Sequence, residues 1–274
     1  MSKKTNNTSW HAVWFLCALI SISFETFACE VSKRMVSAGG YYNALSEHYE
    51  YFPSGSQILN EKGAIPGGVV NASISCDQWM LSGEFSQSKG LRDYTGMTMG
   101  GTPVSTISKI QSDASRLSIS WRFIEPAELI ADVVHDQILR DIISTPNAQG
   151  YPEYYDRSFV RIGGGWRIPT EFGLLNLRGL TSVSGNQTER VNLPGKDPNW
   201  LAFNALEQWE IAVSFQRMLN PSAFLKLEYR YINTAISQSR PSILTAAGNP
   251  VGVVYQPKTW NVDQPLILTV GIMF

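Results

Sequence analysis

Pro265-Leu-Ile-Leu-Thr-Val-Gly-Ile-Met-Phe274, the last ten residues of the chain, decide its fold. Every second residue back from the end is apolar (Phe274, Ile272, Val270, Leu268, Leu266), while Met273, Gly271, Thr269 and Ile267 fill the other phase. A strict period of two marks a strand with one face in an apolar medium. The alternation recurs upstream. Trp79, Leu81, Gly83 and Phe85 oppose Met80, Ser82, Glu84 and Ser86, and Leu225, Leu227, Tyr229 and Tyr231 oppose Lys226, Glu228 and Arg230.

Ten such segments are predicted, at residues 35–49, 68–75, 79–86, 117–123, 129–133, 160–168, 175–180, 209–216, 225–231 and 266–274. Four short turns separate them, at Cys76-Asp-Gln78, Glu125-Pro-Ala-Glu128, Pro169-Thr-Glu-Phe-Gly173 and Asn220-Pro-Ser222. Long, Gly/Pro-punctuated connections alternate with these turns, among them residues 87–106, 184–202 and 235–258. Short turns on one side and long loops on the other fit an all-β, transmembrane antiparallel barrel with periplasmic turns and extracellular loops. An even strand number puts both termini on the periplasmic side. A soluble barrel would bury the aromatic phase and would not need so lopsided a loop pattern.

The amino terminus carries Met1-Ser-Lys-Lys4, an apolar run at residues 12–24 and Thr26-Phe-Ala28, a signal-peptide pattern. Residues 29–274 are then one mature domain. Removing Lys3, Lys4 and Glu25 from 22 basic and 23 acidic residues leaves a formal charge of −2. That balance gives no basic surface for nucleic acid. Cys17 leaves with the signal, and Cys29 and Cys76 fall at the same barrel end in an oxidising compartment. A disulfide between them competes with lipidation of Cys29, although residues 26–28 lack the usual lipoprotein pattern.

The terminal Phe closing an alternating strand resembles the carboxy-terminal signature of Gram-negative outer-membrane β-barrels. That resemblance implies outer-membrane location, lipids including lipopolysaccharide as neighbours, and recognition of Leu266–Phe274 by the barrel-assembly machinery. Ten strands with extended extracellular loops resemble the omptin outer-membrane proteases in architecture. The omptin resemblance implies an Asp pair facing an Asp-x-His couple across an extracellular cleft. No Asp-x-His occurs here, and the His-x-Ser couple of the outer-membrane phospholipases is also missing.

The inward phase collects charge: Glu84, Arg122, Asp132, Arg161, Arg167, Arg178, Glu210, Lys226, Glu228 and Arg230. Inside a ten-stranded bore scarcely wider than side chains, these groups must pair or be wet. A salt-bridge plug is expected, with a narrow pore as the alternative. The candidates for hydrolytic chemistry are His135, Asp132, Asp136 and His48. In strict alternation from Leu129, however, His135 points outward while Asp132 and Asp136 point inward. No spacing suggests a metal or cofactor site. The reading is a charge-filled envelope barrel presenting loops for surface interaction or envelope structure, its extracellular partner unknown. Alternatives are an omptin-like hydrolase and a narrow pore.

Overall fold

The computed structural model describes residues 31–97, 101–203 and 205–274; the expected signal peptide and Cys29 lie outside them. The first half of the barrel runs through β1 (Val31–Tyr51), β2 (Gln57–Cys76), β3 (Trp79–Met97), β4 (Pro103–Ile124) and β5 (Ala127–Ile142). β6 (Pro152–Thr170) and β7 (Gly173–Val191) follow, then the short β8 (Asn199–Ala202). β9 (Leu206–Asn220), β10 (Ala223–Ile236), the hairpin β11 (Ser242–Ala246) and β12 (Asn249–Val254), and β13 (Lys258–Met273) complete the chain. β1 to β7, β9, β10 and β13 each pair antiparallel with both neighbours and form a closed ten-stranded barrel. The expected seam closes it, with Met35 opposite Met273 and Tyr42 opposite Leu266. Closure leaves no barrel strand with an open edge.

The four turns fall where the sequence puts them, but the strands are much longer than the apolar alternation. Trp79, Trp121, Leu129 and Trp166 face outward near the turn end, and Leu117, Val133 and Val160 face outward higher up, all between 37 % and 54 % exposed. Above that line the outward positions become mixed, polar at the cross-strand neighbours Ser115, His135 and Ser158 and apolar again only at scattered sites such as Leu91 and Ile107. The backbone ladder continues regardless. Residues 87–97, 103–106 and 184–191, expected in loops, are strand, and so are 57–67 and 134–142. Outward apolarity marks the band that meets lipid, whereas hydrogen bonding continues the barrel well beyond it.

The long connections also differ from the expected loops. β8 pairs with β7 from Thr188 to Val191, and β11–β12 forms a separate sheet. Leu201 of β8, Phe203 and Val254 of β12 turn inward onto Val134, Phe159, Val191, Leu206 and Ile236. Asn199 donates to the Ile243 carbonyl at 2.8 Å and Asp197 accepts from Thr245 at 2.7 Å, tying the two connections together. The loop end is therefore roofed by an apolar cap.

Two glycines on the seam strand separate close approach from mere flexibility. A Cβ on Gly39 would stand 1.9 Å from the Leu268 carbonyl oxygen, whereas one on Gly40 would meet nothing within 4 Å. Gly39→Ala should force the β1–β13 seam apart and destabilise the barrel by roughly 1–3 kcal/mol, read as loss of the fast-migrating folded form in unheated gel electrophoresis. Gly40→Ala should migrate as the parent does; equal behaviour of the two variants would contradict this account of the seam.

Candidate functional site

All ten lumenal charges expected from the sequence face the interior or its turn-end mouth, and they fall into storeys. The middle storey is a girdle around Glu210 of β9. Its carboxylate receives Arg116 of β4 at 2.6 Å, Arg178 of β7 at 2.8 Å and Arg161 of β6 at 3.1 Å. Arg161 also grips Asp132 of β5 through two parallel bonds of 2.8 and 2.7 Å. Such fork geometry fixes orientation as well as energy. Glu228 joins Arg178, Lys226 and Arg230, and Arg230 reaches Glu84 on β3. Arms from seven strands thus cross the bore, and Glu210 is 1 % exposed.

The lower storey is wetter. Arg167 meets Glu128 at 3.1 Å and Arg122 meets Glu125 at 2.9 Å, the latter pair exposed at the turn end. Beneath the girdle lies a cavity of about 1120 Å³ whose lining includes Lys33, Met80, Arg122, Glu171 and Phe172.

An upper storey, absent from the sequence reading, stands beyond the outward apolar band. Arg140 of β5 is 2 % exposed and contacts Glu153 at 2.6 Å, Glu61 at 2.9 Å and Glu50 at 3.1 Å. His48 sits between Asn261 at 2.7 Å and Glu50 at 3.0 Å. Gln256, from the segment between β12 and β13, donates to Glu50 at 2.8 Å, so the capping connection is latched to this cluster. Burial pushes Glu50 up, but the His48 hydrogen bond and the Arg140 charge outweigh it and bring the carboxyl down to about 2. Glu189 on β7 is fully buried, and both its carboxylate oxygens lack a hydrogen-bond partner. Burial, then the charges of Glu153 and Glu50, hold its carboxyl well above the usual range, with Arg140 opposing.

The four candidates for hydrolytic chemistry do not converge. Asp132 is locked to Arg161, Asp136 faces Arg157 at 3.5 Å, and His48 lies under the cap at 5 % exposure. His135 faces outward, as alternation requires, with Nδ1 3.1 Å from Ser158 Oγ and 3.7 Å from Asp156 Oδ1. A nucleophile and an orienting acid need opposite ring nitrogens. Here both approach the same one. Cys76 is disulfide-bonded, and its expected partner, Cys29, lies outside the described residues. Among the described residues no cluster of His, Cys, Asp and Glu could hold a metal.

No family model matches the chain, and no curated protein matches it. Among solved structures it resembles the outer-membrane protease OmpT of Escherichia coli, with a TM-score of 0.52 and 13 % identity over 92 % of this chain and 99 % of that one. The translocator domain of the autotransporter NalP of Neisseria meningitidis gives a TM-score of 0.45 at 10 % identity, covering 97 % of each chain. The likeness to OmpT is one of fold: a ten-stranded outer-membrane β-barrel of omptin-like architecture.

The buried Glu189 makes stability depend on pH with a definite sign. Its folded pKa lies above the unfolded value of about 4.3, so its contribution is fully present below that pH. It is lost as pH rises toward the folded pKa, by up to about 1.4 kcal/mol per unit. Glu189→Gln should remove this dependence, so the variant gains on the parent between pH 4.5 and 8 in urea-unfolding midpoints. Parallel pH profiles for the two proteins would refute the assignment.

Proposed function

We propose that this chain is a plugged outer-membrane barrel that carries an extracellular surface rather than a pore or a protease. The blocked lumen is the observation that carries the reading. A girdle of ion pairs crosses the middle of the bore, and an apolar cap closes the loop end above it. Opening the girdle would strand buried charges, which costs about 3–5 kcal/mol for each broken pair. The outward apolar band, bounded by Trp79, Trp121 and Trp166 toward the turns, supports membrane residence. The short turns then face the periplasm and the capped end faces outside.

The capped end offers Trp200, Ile243, Val251 and Val253, each at least 48 % exposed, as a contact surface. On its flank Arg190 stacks on Tyr154 with 5.1 Å between guanidinium carbon and ring centroid. Phosphate and sugar of lipopolysaccharide are the membrane partners that this cation and its ring would meet. The assembly machinery would read the closing strand that ends in Phe274.

Two measurements test the reading. In planar bilayers the purified barrel should show no reproducible open level; a stable conducting state would replace the plug with a pore. A cysteine placed at Ala247, the exposed tip of the β11–β12 hairpin, should react with a membrane-impermeant maleimide on intact cells. Labelling only after outer-membrane disruption would invert the orientation.

A further inference from the structure

The plug leaves the two barrel ends unlike. Above the girdle the lumen retains a cavity of only about 130 Å³. Below it the cavity of about 1120 Å³ opens at the turn end. That volume exceeds what ordered water alone needs and matches sites for organic molecules, which run to about 1,000 Å³.

The lining has two distinct regions. Its charged part holds eight basic side chains (Lys33, Arg116, Arg122, Arg167, Arg178, Arg217, Lys226 and Arg230) against six acidic ones (Glu84, Glu125, Glu128, Asp132, Glu171 and Glu228). Counting Glu210, which the arginines enclose, still leaves a positive balance. The deep acids are also already engaged. Asp132 is held by Arg161, and Glu84 and Glu228 by Arg230. Lys33 and Arg217 have no ion-pair partner among the described residues. Arg122 of this wall keeps a buried Nε–H without a hydrogen-bond partner among the described residues, whereas Arg167 Nε lies 3.1 Å from Glu128 and Arg116 Nε 3.7 Å from Asp132. An unmatched buried donor favours an acceptor, and a net positive wall favours an anionic one.

The second region is apolar and adaptable. Met35 and Met273 are opposite neighbours across the seam, and Met80, Met218, Phe172 and Phe224 join the lining. Phe224 lies over Gly271, where any side chain would collide with its ring. Arg167 donates to the Met80 sulfur at 3.2 Å, so the charged and apolar regions meet at one point. Methionine fills irregular gaps and suits a surface that accepts varied apolar shapes. A small inorganic ion would use the guanidinium groups and leave this floor wet.

We propose that the turn-end cavity is a binding site for an amphiphilic organic anion, with its acid group among the basic side chains of the lining, Arg122, Arg167 and Lys226 included, and its apolar body on the methionine and phenylalanine residues. With the turns facing inward, the ligand comes from the periplasm. Binding itself does not depend on that orientation, because both faces of a lipid nanodisc are open to solution.

The probe is 8-anilinonaphthalene-1-sulfonate, titrated by fluorescence into the full-length barrel in lipid nanodiscs, with empty discs as reference. One saturable site per barrel is expected, together with weaker binding of the neutral N-phenyl-1-naphthylamine. Lys226→Gln and Arg217→Gln should each weaken sulfonate binding about fivefold, as expected for a partly exposed charge. Lys109→Gln, on the outer wall near the loop end, should not. Arg217 has no ion pair to lose, so its variant keeps the test valid if Lys226→Gln folds poorly. Displacement by laurate would assign the natural ligand to lipid-derived acids; displacement by an aromatic carboxylate and not by laurate would assign it to soluble organic anions. No saturable site above empty discs, equal affinity for the neutral probe, or unchanged binding in both variants would overturn the proposal.

Discussion

Everything inside this barrel depends on the cost of leaving a charge unpaired in a narrow, poorly solvated bore. Glu210 shows the solution in its most concentrated form. Three guanidinium groups from three strands converge on one carboxylate, and the most deeply set of them, Arg161, is balanced by a second acid, Asp132. An ion pair of this kind gains little over an apolar pair of the same volume, yet removing one partner is expensive. The girdle is therefore better understood as a device that fixes which strands stand opposite each other than as a source of net stability. β3, β4, β5, β6, β7, β9 and β10 all reach into it.

The same physics gives the two storeys flanking the girdle opposite characters. Upward, the bore is roofed by Leu201, Phe203 and Val254, water is excluded, and the carboxylates outnumber the cations that serve them. Arg140 satisfies Glu50, Glu61 and Glu153 at once, and Glu189 is left over beneath the cap. Downward, no roof exists. Arg122 pairs with the exposed Glu125, the part-exposed Arg167 pairs with Glu128, and the space stays open because its charges need water or a ligand.

Much of this was legible in the sequence because a barrel wall in lipid writes its period on every strand. The strand number, the four turns, the seam and the direction of His135 all follow from alternation. Alternation fails where lipid ends. Arg116 lies one residue before Leu117, the first apolar outward residue of the fourth segment, and Glu128 ends the turn that begins at Glu125, so neither belongs to the alternating pattern. Arg140, Glu153 and Glu189 lie on strand extensions whose outward neighbours mix polar and apolar side chains (Leu139 and Asp141, Tyr154, Thr188 and Arg190), so nothing in their pattern distinguishes a ladder from a loop. Backbone hydrogen bonds hold those extensions together, and they leave no periodic trace in the side chains.

His48 and Glu50 show a third reason. In β1 the residues Ser37, Tyr41 and Asn43 face inward, and an unbroken alternation would turn His48 and Glu50 outward. The register instead shifts between Asn43 and Ser46, with one extra residue on β1 against both β2 and β13. Such a bulge reverses the phase of everything after it. Ser46, His48 and Glu50 therefore enter the lumen at the height where Arg140 and Gln256 need acceptors. Without the bulge Arg140 would lose one of its three carboxylates, and the segment before β13 would lose its latch. The strand that closes the barrel at its lower end thus also fastens the cap at its upper end, and a single inserted residue makes the second possible.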